Sequence, residues 1–132
     1  MAYLIAYLAA ALIFAAADAV WLTVMGPLLY KPVLGPLLAE KVNLVAALAF
    51  YVIYIGGIVF LAINPALKDG QWRTAALNGL VLGVVAYGAY DLTNQATLKL
   101  WSTRLTLADI AWGGSMTAIA AVAGFLAARR WS

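Results

Sequence analysis

Three aspartates, Asp18, Asp91 and Asp109, interrupt stretches of sequence that are otherwise apolar. A carboxylate at the centre of a membrane-spanning helix costs about 2.5–3.5 kcal/mol, and such residues normally face the interior of a bundle or a wet cavity. Each of the three has polar or aromatic companions at helical spacing. Tyr87, Asp91 and Asn94 follow an i, i+4, i+7 pattern and share one helix face, while Asp18 with Trp21 and Asp109 with Trp112 are i, i+3 pairs that set an indole beside an acid. Two carboxylates within a few ångströms of each other in a low dielectric cannot both ionise cheaply. The chemistry open to this set is to hold a proton or a cation in an acidic, amide-bearing, aromatic-walled pocket. Hard cations such as Mg2+ prefer oxygen ligands, which makes Asp18, Asp91 and Asp109 the candidate metal ligands. The sequence has neither cysteine nor histidine, so thiolate nucleophiles and imidazole bases or ligands are excluded.

The elements that must position these residues are membrane helices. Of the 132 residues 67% are hydrophobic and 10% charged, whereas an ordinary soluble domain carries about 25% charged residues. Apolar runs at about 3–25, 42–63, 74–98 and 105–128 are each long enough to cross a bilayer, so residues 1–132 make a single transmembrane domain. The fold expected is all-α, a polytopic four-transmembrane-helix bundle. The first run is not a cleaved leader, because no Lys or Arg precedes it and the apolar stretch continues through Trp21, Leu22 and Val24. Between the first and second runs lies Gly26–Lys41, which contains Gly-Pro-Leu-Leu twice and Pro32 between the copies. Prolines so close together allow only short helical pieces, and the stretch is too apolar for an aqueous loop. It is expected to be an interfacial or re-entrant segment that covers the mouth of the acidic pocket as a lid. Asn64-Pro65 should end the second run, and Gly56-Gly57, Gly79 and Gly83 offer surfaces for close helix packing.

Because alternate helices run in opposite directions, Asp18 late in the first, Asp91 late in the third and Asp109 early in the fourth fall at one depth, roughly 6–12 Å inside one boundary. In a bundle of this size three inward acids must lie near one another. Plainer roles compete for the same residues: Asp109 could cap the fourth helix, Asp91 and Asn94 could join helices by hydrogen bonds, and Trp21 and Trp112 could be packing residues. Trp72, Trp101 and Trp131 fall at span ends, as an aromatic belt would. Lys68, Arg73, Arg129 and Arg130 lie on the side of the termini and Lys31, Lys41, Lys99 and Arg104 on the other, so the count of cations does not orient the chain. The paired arginines at a helix end favour both termini in the cytoplasm. The net charge of +3, spread over connections, suits lipid head groups and not nucleic acid.

Taken together, Asp18-Ala-Val-Trp21, Tyr90-Asp91-Leu-Thr-Asn94 and Asp109-Ile-Ala-Trp112-Gly113 resemble the bacterial membrane proteins classed as domain of unknown function 2177 (DUF2177). The resemblance covers nearly the whole chain and implies a four-helix protein of the bacterial inner membrane. It brings no activity with it, so three functional classes stay open. The first is a binding protein or transporter whose pocket, lined by Asp18, Trp21, Tyr87, Asp91, Asn94, Asp109 and Trp112, takes a proton, a cation or a small ligand. The second is an enzyme acting on a lipid or isoprenoid, with the aspartates as acid/base groups or Mg2+ ligands. The third is an accessory subunit of a larger membrane complex. The partners expected are the lipid bilayer itself and a second copy of the chain or a larger complex.

Overall fold

A computed structural model describes residues 1–132 and contains four helices long and apolar enough to cross a membrane: Ala2–Leu37, Leu44–Asp69, Trp72–Thr97 and Thr103–Trp131. The shortest of them have 26 residues, which at 1.5 Å per residue reach about 39 Å, more than the roughly 30 Å hydrocarbon core requires. The all-α four-helix bundle expected from the sequence is the fold observed. Side-chain caps start two of the helices. Asn43 accepts from the Ala46 N–H and Ser102 from the Leu105 N–H, both at 3.1 Å. Asp109 therefore does not cap the fourth helix; it sits further along, on the helix body.

The proline-rich stretch does not leave the first helix but prolongs it in pieces. A π-helical turn at Gly26–Tyr30, one α-turn at Lys31–Leu34 and a 3-10 turn at Gly35–Leu37 follow Ala2–Met25 without a break. Each piece carries its proline in the first two positions, and because a proline inside a continuous helix cannot donate to the carbonyl four residues earlier, the helix changes type at each of them. A helix of 36 residues would reach about 54 Å if straight, but the Tyr30 hydroxyl bonds both Trp21 and Asp109, so the proline-rich end bends back towards the bundle. There Leu29 and Leu34 pack with Leu105, alongside Trp21, Met25, Tyr30, Val33 and Trp101. The stretch is a docked strap and not a free loop.

Asn64-Pro65 does not end the second helix. A π-helical turn at Val59–Ile63 leads into Asn64–Asp69, with Pro65 near its start. The carbonyl of Leu61, whose α-helical donor would be the nitrogen of Pro65, accepts from Asn78 Nδ2 of the third helix at 3.1 Å. The Asn64 side chain accepts from the Tyr3 hydroxyl at 2.7 Å. The helix stops instead at Gly70, whose φ of 75° supplies the left-handed residue of the turn. Asp69 then accepts from the Gln71 N–H at 2.9 Å and the Thr74 hydroxyl at 2.5 Å, and Arg129 donates to the Gly70 carbonyl at 2.9 Å.

The fourth helix is the hub. Half of its most apolar window (50%) is buried, against 11%, 17% and 22% in the other three. The third helix lies against it with no room for side chains at the crossing: a Cβ on Gly83 would stand 2.4 Å from the Gly113 carbonyl oxygen and 2.7 Å from the Gly114 Cα. The first helix meets it where a Cβ on Gly124 would stand 2.8 Å from the Ala6 carbonyl oxygen. The second helix enters this core only with its later half, through Tyr54, Ile55, Ile58, Ala62, Ile63 and Ala66. Its first half meets the bundle through Tyr51, which packs on Phe14, and through the Val52 carbonyl, which accepts from the Tyr7 hydroxyl at 3.0 Å, while Val45 is 81% exposed. Gly56 and Gly57, expected to admit a neighbouring helix, have nothing within 4 Å of a built Cβ.

Candidate functional site

Asp18, Asp91 and Asp109 lie about 9–11 Å from the same end of the bundle, counting residues from Met25, Thr97 and Thr103. None is paired with a lysine or arginine; their neighbours are tyrosines, tryptophans and one another. Asp18 accepts from the Tyr51 hydroxyl of the second helix and from Trp112 Nε1 of the fourth, the latter at 3.3 Å. Asp109 accepts from the Tyr30 hydroxyl, and the Tyr30 oxygen in turn accepts from Trp21 Nε1 at 2.7 Å. Between these two sets the indoles of Trp21 and Trp112 stack, with centroids 4.5 Å apart and planes 8° from parallel. The arrangement is reciprocal. The acid of the first helix binds the tryptophan of the fourth, and the acid of the fourth reaches the tryptophan of the first through Tyr30.

Asp91 is different. It is 0% exposed, no protein N–H or O–H donates to either of its oxygens, and its carboxyl faces that of Asp109. A buried polar group without a donor costs about 1–3 kcal/mol, and more if it is charged. Beside this pair lies a cavity of about 280 Å³ lined by Phe50, Ala86, Tyr87, Tyr90 and Asp109. Two of its walls, Phe50 and Tyr90, are 47% and 58% exposed on the outer surface of the helices, so the cavity faces the bilayer sideways. Tyr87 is held by close packing, its ring lying where any Cβ on Gly113 would have to go and 6.2 Å edge-on from Tyr54. Tyr54 itself shares a 2.7 Å hydrogen bond with Thr117.

The expected site residues thus divide. Asp109 and Tyr87 line the cavity, Asp91 is buried beside Asp109, and Asp18, Trp21 and Trp112 form the adjoining network. Asn94 is half-buried one turn beyond Asp91, and no hydrogen bond joins its side chain to an acid. No three of the acids form a group able to hold a metal ion. Asp18 already has donors from two sides, and the Asp91–Asp109 pair offers too few ligands for a Mg2+ site by itself.

A family model described as "Predicted membrane protein (DUF2177)" matches residues 3–126. The chain belongs to the DUF2177 family. No curated protein and no solved structure matches it. In this DUF2177 protein two residues that bond the acids lie outside the sequence-derived set, Tyr30 and Tyr51. The only signal for Tyr51 was its position as one of two ionisable groups in the second span, and Tyr30 was hidden among prolines. Tyr30→Phe should expose its weight. The change leaves an oxygen of Asp109 and the indole N–H of Trp21 without their partner, a loss of about 1–3 kcal/mol. Amide hydrogen exchange across Gly26–Leu37 should then speed up relative to the rest of the bundle. Unchanged exchange there would mean that leucine packing alone holds the strap.

Proposed function

We propose that this protein is a membrane-embedded binding protein whose Asp91–Asp109 pair keeps a proton inside the bilayer and presents the remaining negative charge to a ligand in the adjoining cavity. The observation that carries this reading is Asp91, fully buried, without a donor, and facing a second carboxyl. Such a pair cannot be doubly ionised at acceptable cost without a counter-charge between its members. With Tyr30 donating to Asp109, the proton belongs on Asp91, whose O–H then donates to Asp109. Transport is the natural use of a site that holds a proton part-way across a membrane, in a bacterial inner membrane with both termini in the cytoplasm.

An enzymatic reading with the aspartates as Mg2+ ligands has less support, because the acids do not gather as a three-carboxylate cluster. Assembly glue for a larger complex is also less favoured, since the acids turn inward between the chain's own helices. Infrared difference spectroscopy tests the proposal. The purified protein at neutral pH should show the stretch of a protonated carboxylic acid, and Asp91→Asn should remove it. A spectrum with carboxylate bands only would overturn the reading.

A further inference from the structure

The cavity has a composition that selects among ligands. Three of its five lining residues, Phe50, Tyr87 and Tyr90, are aromatic, Ala86 adds an apolar surface, and Asp109 is the single charged group. No lysine or arginine lines it, so an anion would meet an acid and no counter-charge. A small inorganic cation would find one carboxylate and no cluster of further oxygen ligands, and would keep its water in an apolar chamber. A neutral apolar molecule would leave the charge of Asp109 unanswered. What satisfies every wall is an organic cation with one positive charge and an apolar body, its charge against Asp109 and its body among the rings, where aromatic side chains attract cations. The volume of about 280 Å³ lies at the small end for ligand sites, which limits the body to about one ring or a short chain. The sideways opening by Phe50 and Tyr90 offers entry from the bilayer, where such molecules concentrate.

Resting on the proton-holding pair proposed above, we infer that the ligand is a small lipophilic monocation, an alkyl- or arylammonium compound, seated between Asp109 and the Phe50–Tyr87–Tyr90 wall. The groups around its charge are Asp109 and Asp91, Tyr30 from the strap, Tyr87 and Tyr90 from the third helix, and Asp18 with Tyr51 beyond them.

The test is equilibrium dialysis of the full chain in an uncharged detergent with benzyltrimethylammonium. Its neutral carbon isostere, neopentylbenzene, and benzenesulfonate serve as competitors. The cation should bind one to one, and neither competitor should displace it. Asp109→Asn should weaken binding about tenfold or more. Phe50→Leu, at a half-exposed position whose ring packs on Tyr51 and Tyr54, should leave the melting temperature nearly unchanged and weaken binding about two- to fivefold through loss of the ring. Displacement by short-chain phosphatidylcholine would assign the cation to a lipid head group, and failure to displace would assign it to a free amine; both keep the ligand class. Equal binding of the neutral isostere, or unchanged affinity in both variants, would overturn it. If the carboxylic-acid band is present while no cation binds, the ligand class falls and the proton pair stands. If the band is missing, the pair itself falls whatever the dialysis gives.

Discussion

Asp91→Asn should leave the protein folded and remove the response of its site to pH. Asparagine is nearly isosteric with aspartic acid, and its amide N–H can donate to Asp109 as the protonated Asp91 does. The change in stability should therefore stay within about 1 kcal/mol. Were Asp91 ionised beside Asp109, with no cation or donor to answer its charge, replacing it by asparagine would relieve that repulsion and raise the stability. The two cases separate in a thermal melt in detergent. In the parent, raising the pH removes the Asp91 proton and adds a second negative charge beside the cavity, so affinity for a cation rises with pH. In the variant that charge cannot form, and affinity should stay flat over the same range. A variant that melts far below the parent would make Asp91 structural, and one that keeps the parent's pH response would place the proton elsewhere. Asp109→Asn acts on the ligand's charge directly and is expected to be no milder, since Ser102 and not Asp109 caps the fourth helix.

Gly83→Ala should destabilise the protein strongly. Its Cβ would stand 2.4 Å from the Gly113 carbonyl oxygen, 2.7 Å from the Gly114 Cα and 2.8 Å from Thr117 Oγ1. Two of these are backbone atoms, so no rotamer change relieves the contact and the third and fourth helices must separate. Overpacking of this kind costs about 1–3 kcal/mol or more. It also displaces Tyr87, one helical turn along, and Thr117, the partner of Tyr54, so the cavity should be lost along with the stability. Gly57→Ala is the control. With nothing within 4 Å of the new methyl, helix propensity makes it neutral or stabilising by about 0.5–1 kcal/mol. Similar melting temperatures for the two variants would show that the helices part there without cost.

These two positions illustrate what could be read from the sequence. The spans were legible, because apolar runs of sufficient length have one use in a bilayer, and the common depth of Asp18, Asp91 and Asp109 followed from helix direction alone. The two Gly-Gly pairs were not distinguishable. Gly113-Gly114 lies under the third helix and Gly56-Gly57 faces outward, and only the rotation of each helix about its axis decides which is which. Asn64-Pro65 reads as a terminator because the amide that answers the Leu61 carbonyl comes from Asn78, on another helix. Tyr30 and Tyr51 were missed for a related reason. A tyrosine in an apolar span looks like packing until the neighbour that receives its hydroxyl is known, and Gly26–Leu37 looked like a departure from the helix when it is a strap that returns Tyr30 to Asp109.

The reciprocal bonding of the first and fourth helices bears on how the chain can be made. Segments enter the bilayer in order of synthesis, and Asp18 enters in the first of them. Its earliest donor, Tyr51, follows 33 residues later, and its second, Trp112, is 94 residues away. Until the second helix arrives, the first must shelter an acid at the insertion channel or near the interface. Asp109 never waits: Tyr30 lies 79 residues upstream and is already in place when the fourth helix enters. The nascent chain therefore passes through a vulnerable interval early, and a ribosome-stalled intermediate ending before Tyr51 is the species in which the first helix should slip back out of the membrane.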